Sequence, residues 1–345
     1  MSATTSAPPT GAPAPSVPRG RRVVAVIVLV PVLVALALWA FAWPSARLAP
    51  HDLPLGVAGP ANAAGSLQER LEARPGAFEV HRYADEAAAR DAIADRTVYG
   101  AVVVTDRGPE LLTASAASPL VAQFLQQAMA EQAPKGSRIR TTDIVPTAAG
   151  DPRGAVLGAS VLPLALAGVA AGAVTTLLGL RGVRAVVALT GAAALVGLVA
   201  ASLADSWLGV LSGDWWAEAA AFGLSTLAVS AAVAGLAALA GPPGIAVGAL
   251  LVVLLGNPFS GAASAPEMLP EPVGAIGQWL PPGAGTSLLR SVSFFDGAAA
   301  TGPALTLACW TALGLGAVLL RGLPAGRRTA PRAAADRERE PLPAR

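Results

Sequence analysis

The sequence predicts an α-helical polytopic membrane protein: six transmembrane helices, with an extracytoplasmic α/β domain between the first and second spans. Three observations carry this prediction. Of the 345 residues, 54% are hydrophobic and only 13% charged, about half the roughly 25% charge of an average soluble chain. The apolar residues gather into uncharged runs, and a helix needs roughly 20 such residues to cross a hydrocarbon core of about 30 Å. By contrast, segment 44–153 carries 11 basic and 13 acidic residues, an ordinary soluble composition.

The first run, Val23 to Trp43, follows Arg19, Arg21 and Arg22. Ala40-Phe41-Ala42 resembles a signal-peptidase site, but a run of 21 residues exceeds the about 7–15 of a cleavable signal core. It is therefore assigned as a retained span. Gly154 to Leu180 and Ala185 to Ala204 supply the second and third. From Ala219 to Pro266 no charge occurs over 48 residues. Gly241-Pro242-Pro243-Gly244 divides this stretch into two, because paired prolines break a helix ladder and glycine reverses the chain. Gly297 to Leu320 is the last span, so the five-helix transmembrane portion covers 154–320.

Basic residues flanking the spans set orientation. With the N-terminus in the cytoplasm, segments 1–22, 181–184, 241–244 and 321–345 hold 12 arginines against Asp336, Glu338 and Glu340. The short outer segments 205–218 and 267–296 then hold Arg290 against six acids. Both termini are expected inside a plasma membrane. Residues 1–22 read as a disordered tail and 321–345 as a basic tail on anionic lipid headgroups. The 23 arginines to one lysine fit a GC-rich bacterial genome.

Within 44–153, strands are expected at 53–58, 78–83, 99–105 and 110–113. Helices are expected around Leu67 and Leu71, after the cap Asp85, and from Ser118-Pro119. Alternating strands and helices make a small α/β sandwich. His51 and His81 read as solvated side chains. One cysteine, Cys309, excludes a disulfide framework and a multi-cysteine zinc site. A net charge of +2 without a basic patch disfavours nucleic acid. No cofactor, metal or catalytic set is expected, and the chain reads as no enzyme.

The predicted spans, as bounded above, contain no Asp, Glu, Lys, Arg or His, which disfavours an ion-coupled carrier. Their Ser160, Thr175, Thr176, Ser225, Thr226 and Ser230, set among Gly and Ala, read as close helix packing. Between Pro272 and Pro281 a short helix is expected with Val273, Ile276, Trp279 and Leu280 on one face. Trp207, Trp215, Trp216 and Trp279 read as interfacial anchors, and Arg290 as a snorkelling or capping residue.

The order of one span, a large outer domain, then five spans with a proline-rich segment (266–285) before the last resembles the YhgE/Pip-like branch of the type 2 ABC transporter permeases. The resemblance is carried by Tyr99-Gly-Ala-Val-Val-Val, Leu111-Leu-Thr-Ala-Ser-Ala-Ala-Ser, the exit Asp143-Ile-Val-Pro146 … Asp151-Pro-Arg-Gly154, and Asn257-Pro-Phe-Ser-Gly … Leu280-Pro-Pro-Gly283. It implies a permease subunit that forms a homodimer and works with a separate cytoplasmic ATPase. Such a subunit exports an amphipathic or lipid-like substrate and contacts membrane lipids. In keeping with this, the chain has no G-x-x-x-x-G-K-[ST] loop of its own. The largest inner loop, Arg181–Arg184, is shorter than the coupling helix such permeases usually present. An outer gate would be formed by Asn257, Pro258, Pro270, Trp279, Pro281, Pro282 and Gly283. The alternative expectation is a non-transporting, membrane-anchored surface protein whose outer domain binds a partner or the cell envelope.

Overall fold

The structure, a computed structural model, describes residues 19–106, 108–132 and 139–322. Most of both expected tails, 1–18 and 323–345, lies outside the described residues. Among the described residues, five helices are long and apolar enough to cross a membrane. They are α1 (Arg19–Ser45), α5 (Ala155–Leu177), α6 (Gly182–Ala201, continued by π-helical turns to Trp207), α7 (Trp215–Ala240) and α11 (Thr301–Gly322). The fifth expected span, after the Gly-Pro-Pro-Gly turn, differs. After the Gly241 turn (φ 73°), α8 (Pro242–Ala249) is followed by π-helical turns over Leu250–Gly256. These 15 residues rise roughly 20 Å, short of the full hydrocarbon thickness. They pack back along α7, where a Cβ on Gly248 would touch Val233, and return the chain to the end where the α/β domain sits.

The α/β domain is a five-stranded sheet of order β2-β1-β3-β4-β5. Its strands are β1 (Leu53–Ala58), β2 (Phe78–Tyr83), β3 (Gly100–Thr105), β4 (Gly108–Thr113) and β5 (Arg140–Asp143). β1 pairs parallel with β2 and β3, β3 pairs antiparallel with β4, and β5 adds parallel to β4. Successive strand residues point to opposite faces, and both faces are apolar here. Ala101 and Val103 join α3 (Glu86–Ala94) on one side. Val102 and Leu111 join α2 (Ala61–Glu72) and α4 (Pro119–Gln132) on the other. Asp85 caps α3 by accepting the Ala88 N–H at 2.9 Å, and the Ser118 hydroxyl accepts from Val121 N–H at 3.2 Å.

Neither core is closed by 44–153 alone. Phe295 completes the first, and Ala265 and Met268 complete the second. The domain is thus built onto the membrane half rather than tethered to it. The joint into α5 is capped by Asp151, whose carboxylate accepts from Ala155 N–H at 3.0 Å and Val156 N–H at 2.7 Å. Asp151→Ala should cost about 1 kcal/mol, read as a lowered unfolding midpoint of the purified protein in detergent.

α7 is the central helix, packed against α5, α6, α10 (Pro281–Phe294) and α11. Close approach rests on glycines. A Cβ on Gly197 would stand 2.4 Å from Ala219 O, and one on Gly172 2.7 Å from Ser230 O. The hydroxyls of Ser160, Thr176, Ser225 and Thr226 donate to carbonyls one turn back in their own helices. They are spent on their own backbones. α1 differs: its valines and leucines are largely exposed, and only its last turns touch the body, with Trp43 beside Phe259 and Leu255. A helix apolar all round and uncovered belongs in lipid.

Two expectations about charge are corrected. α6 extends through Asp205, and α7 starts before Glu218, so both apolar helices carry an acid at their α/β-domain end. Glu218 is fully buried and accepts from Gly213 N–H at 3.0 Å. The sequence places it outside the span because the uncharged run starts at Ala219; the helix instead begins at its Asp214 cap, which accepts from Ala217 N–H.

Candidate functional site

The stretch between α8 and α11 folds back under the α/β domain. Two 3₁₀ turns, Pro258–Ser260 and Pro266–Met268, lead into α9 (Val273–Trp279) and then α10. Pro281 and Pro282 occupy the first turn of α10, where the missing N–H groups would be unbonded anyway. Backbones pack without side chains between them: Gly277 lies on Phe259 O, and Gly274 on Pro266 O, so closely that a Cβ would stand 1.7 and 2.0 Å away.

α10 separates two environments. Its Pro281, Pro282, Gly285 and Leu289 face a narrow apolar crevice whose other walls are Leu157 and Val161 of α5 and Phe222 of α7. Its Ser287 and Arg290 face a polar cleft of about 390 Å³ between the α/β domain and the start of α11. The cleft gathers Arg96, Tyr99, Glu267 and Gln278, with Pro303 and Thr306 on the α11 side.

Each polar wall is held in place. Arg96 follows α3 in a left-handed conformation (φ 60°), a position usually left to glycine. From there its guanidinium crosses to α10, donating to Ser287 O at 3.0 Å and to the Ser291 hydroxyl, and it lies over the Phe295 ring. Arg290 is 4% exposed and donates to Ala262 O at 2.6 Å. Tyr99 donates its hydroxyl to Glu267 at 2.7 Å. Gln278 donates to Ser260 O at 3.0 Å and accepts from Ser287 at 2.6 Å.

Electrostatically the cleft is positive. Among the described residues, neither guanidinium has a carboxylate oxygen within 4.0 Å. Burial pushes Arg290 down to about 10, and nearby Arg96 pushes the same way, so it stays protonated at neutral pH. Arg96 is lowered by burial. Tyr99 is raised, first by burial and then by Glu267, and remains a neutral donor.

The expected gate residues are partly brought together. Pro281, Pro282 and Gly283 are buried at the start of α10, with Pro282 against Gly256 and Gly283 against the Gly277 carbonyl. Asn257 and Pro258 lie half-buried at the end of the π-helical turns, and Asn257 O accepts from Ser260. Pro270 only supports the turn into α9, accepting from Val273 N–H. Trp279 is 78% exposed at the cleft rim, and its carbonyl accepts from Trp310 Nε1 at 2.8 Å. The single apolar face expected for α9 is not formed: Val273 and Leu280 are buried, whereas Ile276 and Trp279 are exposed. Arg290 does not snorkel, because the α/β domain covers it.

Arg96, Tyr99, Glu267 and Gln278 are absent from the sequence-based site. Arg96 is one of 11 basic residues in its segment and has no distinguishing neighbour. Arg290 did carry a signal, as the lone basic residue of the short segments on its side of the membrane. Comparison with family models, curated proteins and solved structures finds no match to the chain.

Proposed function

We propose that the chain is the membrane permease subunit of an ABC-type exporter, moving an amphipathic or lipid-like substrate outward with a separate ATPase. In this reading the membrane is crossed six times, the short α8 segment included. The α/β domain faces outward, and both termini, with Arg181, Arg184 and Arg321, face the cytoplasm. The observation that carries the proposal is α10: one proline-started helix, set between the last two apolar segments, with an apolar crevice on one face and a charged cleft on the other. A substrate with an oily and a polar part needs surfaces of both kinds along one path.

The anchored-surface-protein alternative expects residues 44–153 to act alone. The reliance of both domain cores on Ala265, Met268 and Phe295 counts against it.

Gly285→Leu tests the proposal, because a Cβ there already stands 2.7 Å from the Ser225 hydroxyl and the added bulk fills the crevice. A strain lacking the chain should lose an amphiphile from its extracellular lipid extract. Wild type should restore it; Gly285→Leu, expressed at an equal level and with an unchanged elution profile, should not. Equal restoration by both would refute the role of α10.

A further inference from the structure

We infer that the cleft between Arg96 and Arg290 is a binding site for the phosphodiester group of an amphiphile, seated at the depth of the membrane headgroups. Three observations converge on it. Arg290 is buried and Arg96 half-buried, and among the described residues they face one cavity without a carboxylate at contact distance. Two guanidiniums facing one cleft repel each other, and that of Arg290 has lost most of its hydration, which a bound anion would offset. Among the described residues, each arginine spends one terminal nitrogen on the protein, Nη1 of Arg96 and Nη2 of Arg290. The remaining N–H groups match the non-bridging oxygens of a phosphate, the pairing for which a planar guanidinium is suited.

Charge and setting narrow the class. Arg96, Arg290 and Glu267 sum to a single positive charge, which a monoanionic phosphodiester cancels. Gln278, Ser287 and Tyr99 are already paired among themselves and with Ser260 and Glu267, so specificity falls to the guanidiniums. One side of the cleft is the first turn of α11, at the end of an apolar helix, where headgroups lie. Leu305, in the same turn of α11 but outside the cleft lining, is 60% exposed and offers apolar surface to lipid. At about 390 Å³ the cleft is far larger than one carboxylate needs. As the identity of a transported substrate this rests on the permease proposal; as a binding site it does not.

The test uses the full-length protein, purified in mild detergent and stripped of lipid, with native mass spectrometry as readout. Phosphatidylglycerol, sn-glycerol 3-phosphate and inorganic phosphate are offered separately. The expected result is retention of phosphatidylglycerol by wild type, weakened about tenfold or more in Arg96→Gln, since a charge-assisted hydrogen bond is worth roughly 1.5–3 kcal/mol. Glu267→Gln keeps an acceptor for Tyr99 and removes the opposing charge, so its retention should tighten. Retention of the two soluble phosphates at the same affinity would show a free-phosphate site and overturn the amphiphile. Equal retention of lipid by wild type, Arg96→Gln and Glu267→Gln would overturn the site altogether. No ATPase takes part, so failure here leaves the export experiment standing, and the reverse.

Discussion

Gly314→Leu is expected to force α7 and α11 apart and to cost more than about 3 kcal/mol. A Cβ at Gly314 would stand 2.2 Å from Ala231 O and 2.3 Å from its carbonyl carbon, while Gly235 faces the Gly314 Cα from the other helix. Both obstructions are backbone, so no rotamer change relieves them, and overpacking of this kind usually costs about 1–3 kcal/mol even where side chains can move. In lipid no hydrophobic drive holds the pair together; close van der Waals packing does that work instead. Gly316 lies on the same helix with nothing near its Cβ position, so Gly316→Leu is the control and should change stability by less than about 0.5 kcal/mol. Unfolding midpoints in one detergent decide it. Coincident midpoints for the two variants would show that the contact does not hold the bundle.

Glu267→Ala should be the most damaging single change in the cleft. It removes the one carboxylate among the described lining residues and leaves Arg96 and Arg290 facing each other, with the Tyr99 hydroxyl unpaired. No ion pair is broken, so the cost is that of a buried hydroxyl left unpaired, about 1–3 kcal/mol, with the longer-range loss of the opposing charge added to it. Glu267→Gln, which keeps an acceptor for Tyr99, should cost about half as much. The double variant Glu267→Ala with Arg290→Met should be more stable than the sum of its single effects, because the second change removes one of the two repelling charges. Strict additivity would mean that Glu267 and Arg290 do not feel each other.

Much of the architecture was legible because apolar burial leaves a strong local imprint. Val102 and Val103 read as a buried strand because both faces of the sheet are covered, and the Gly-Pro-Pro-Gly turn is a backbone signal that packing does not override. β5, Arg-Thr-Thr-Asp, left no such trace: it is an edge strand held by backbone pairing to β4. α10 was hidden by its own prolines and glycines, which read as a loop until they are seen to occupy its first turn and its close contacts. The boundary of α7 fell four residues late because the Asp214 cap begins the helix before the charges end at Glu218. The polar cleft was the least legible feature. Arg96 and Arg290 stand 194 positions apart in the chain, and only the docking of the α/β domain brings them to one cavity.

The central claim, that this is a permease driven by a separate ATPase, is tested most directly by purifying the tagged chain from its own host in a gentle detergent and identifying by mass spectrometry what accompanies it. The account predicts a stoichiometric nucleotide-binding subunit whose ATP hydrolysis depends on this chain and falls in the Gly285→Leu variant. Repeated recovery of envelope proteins alone, with no ATPase, would contradict it and favour an anchored surface protein.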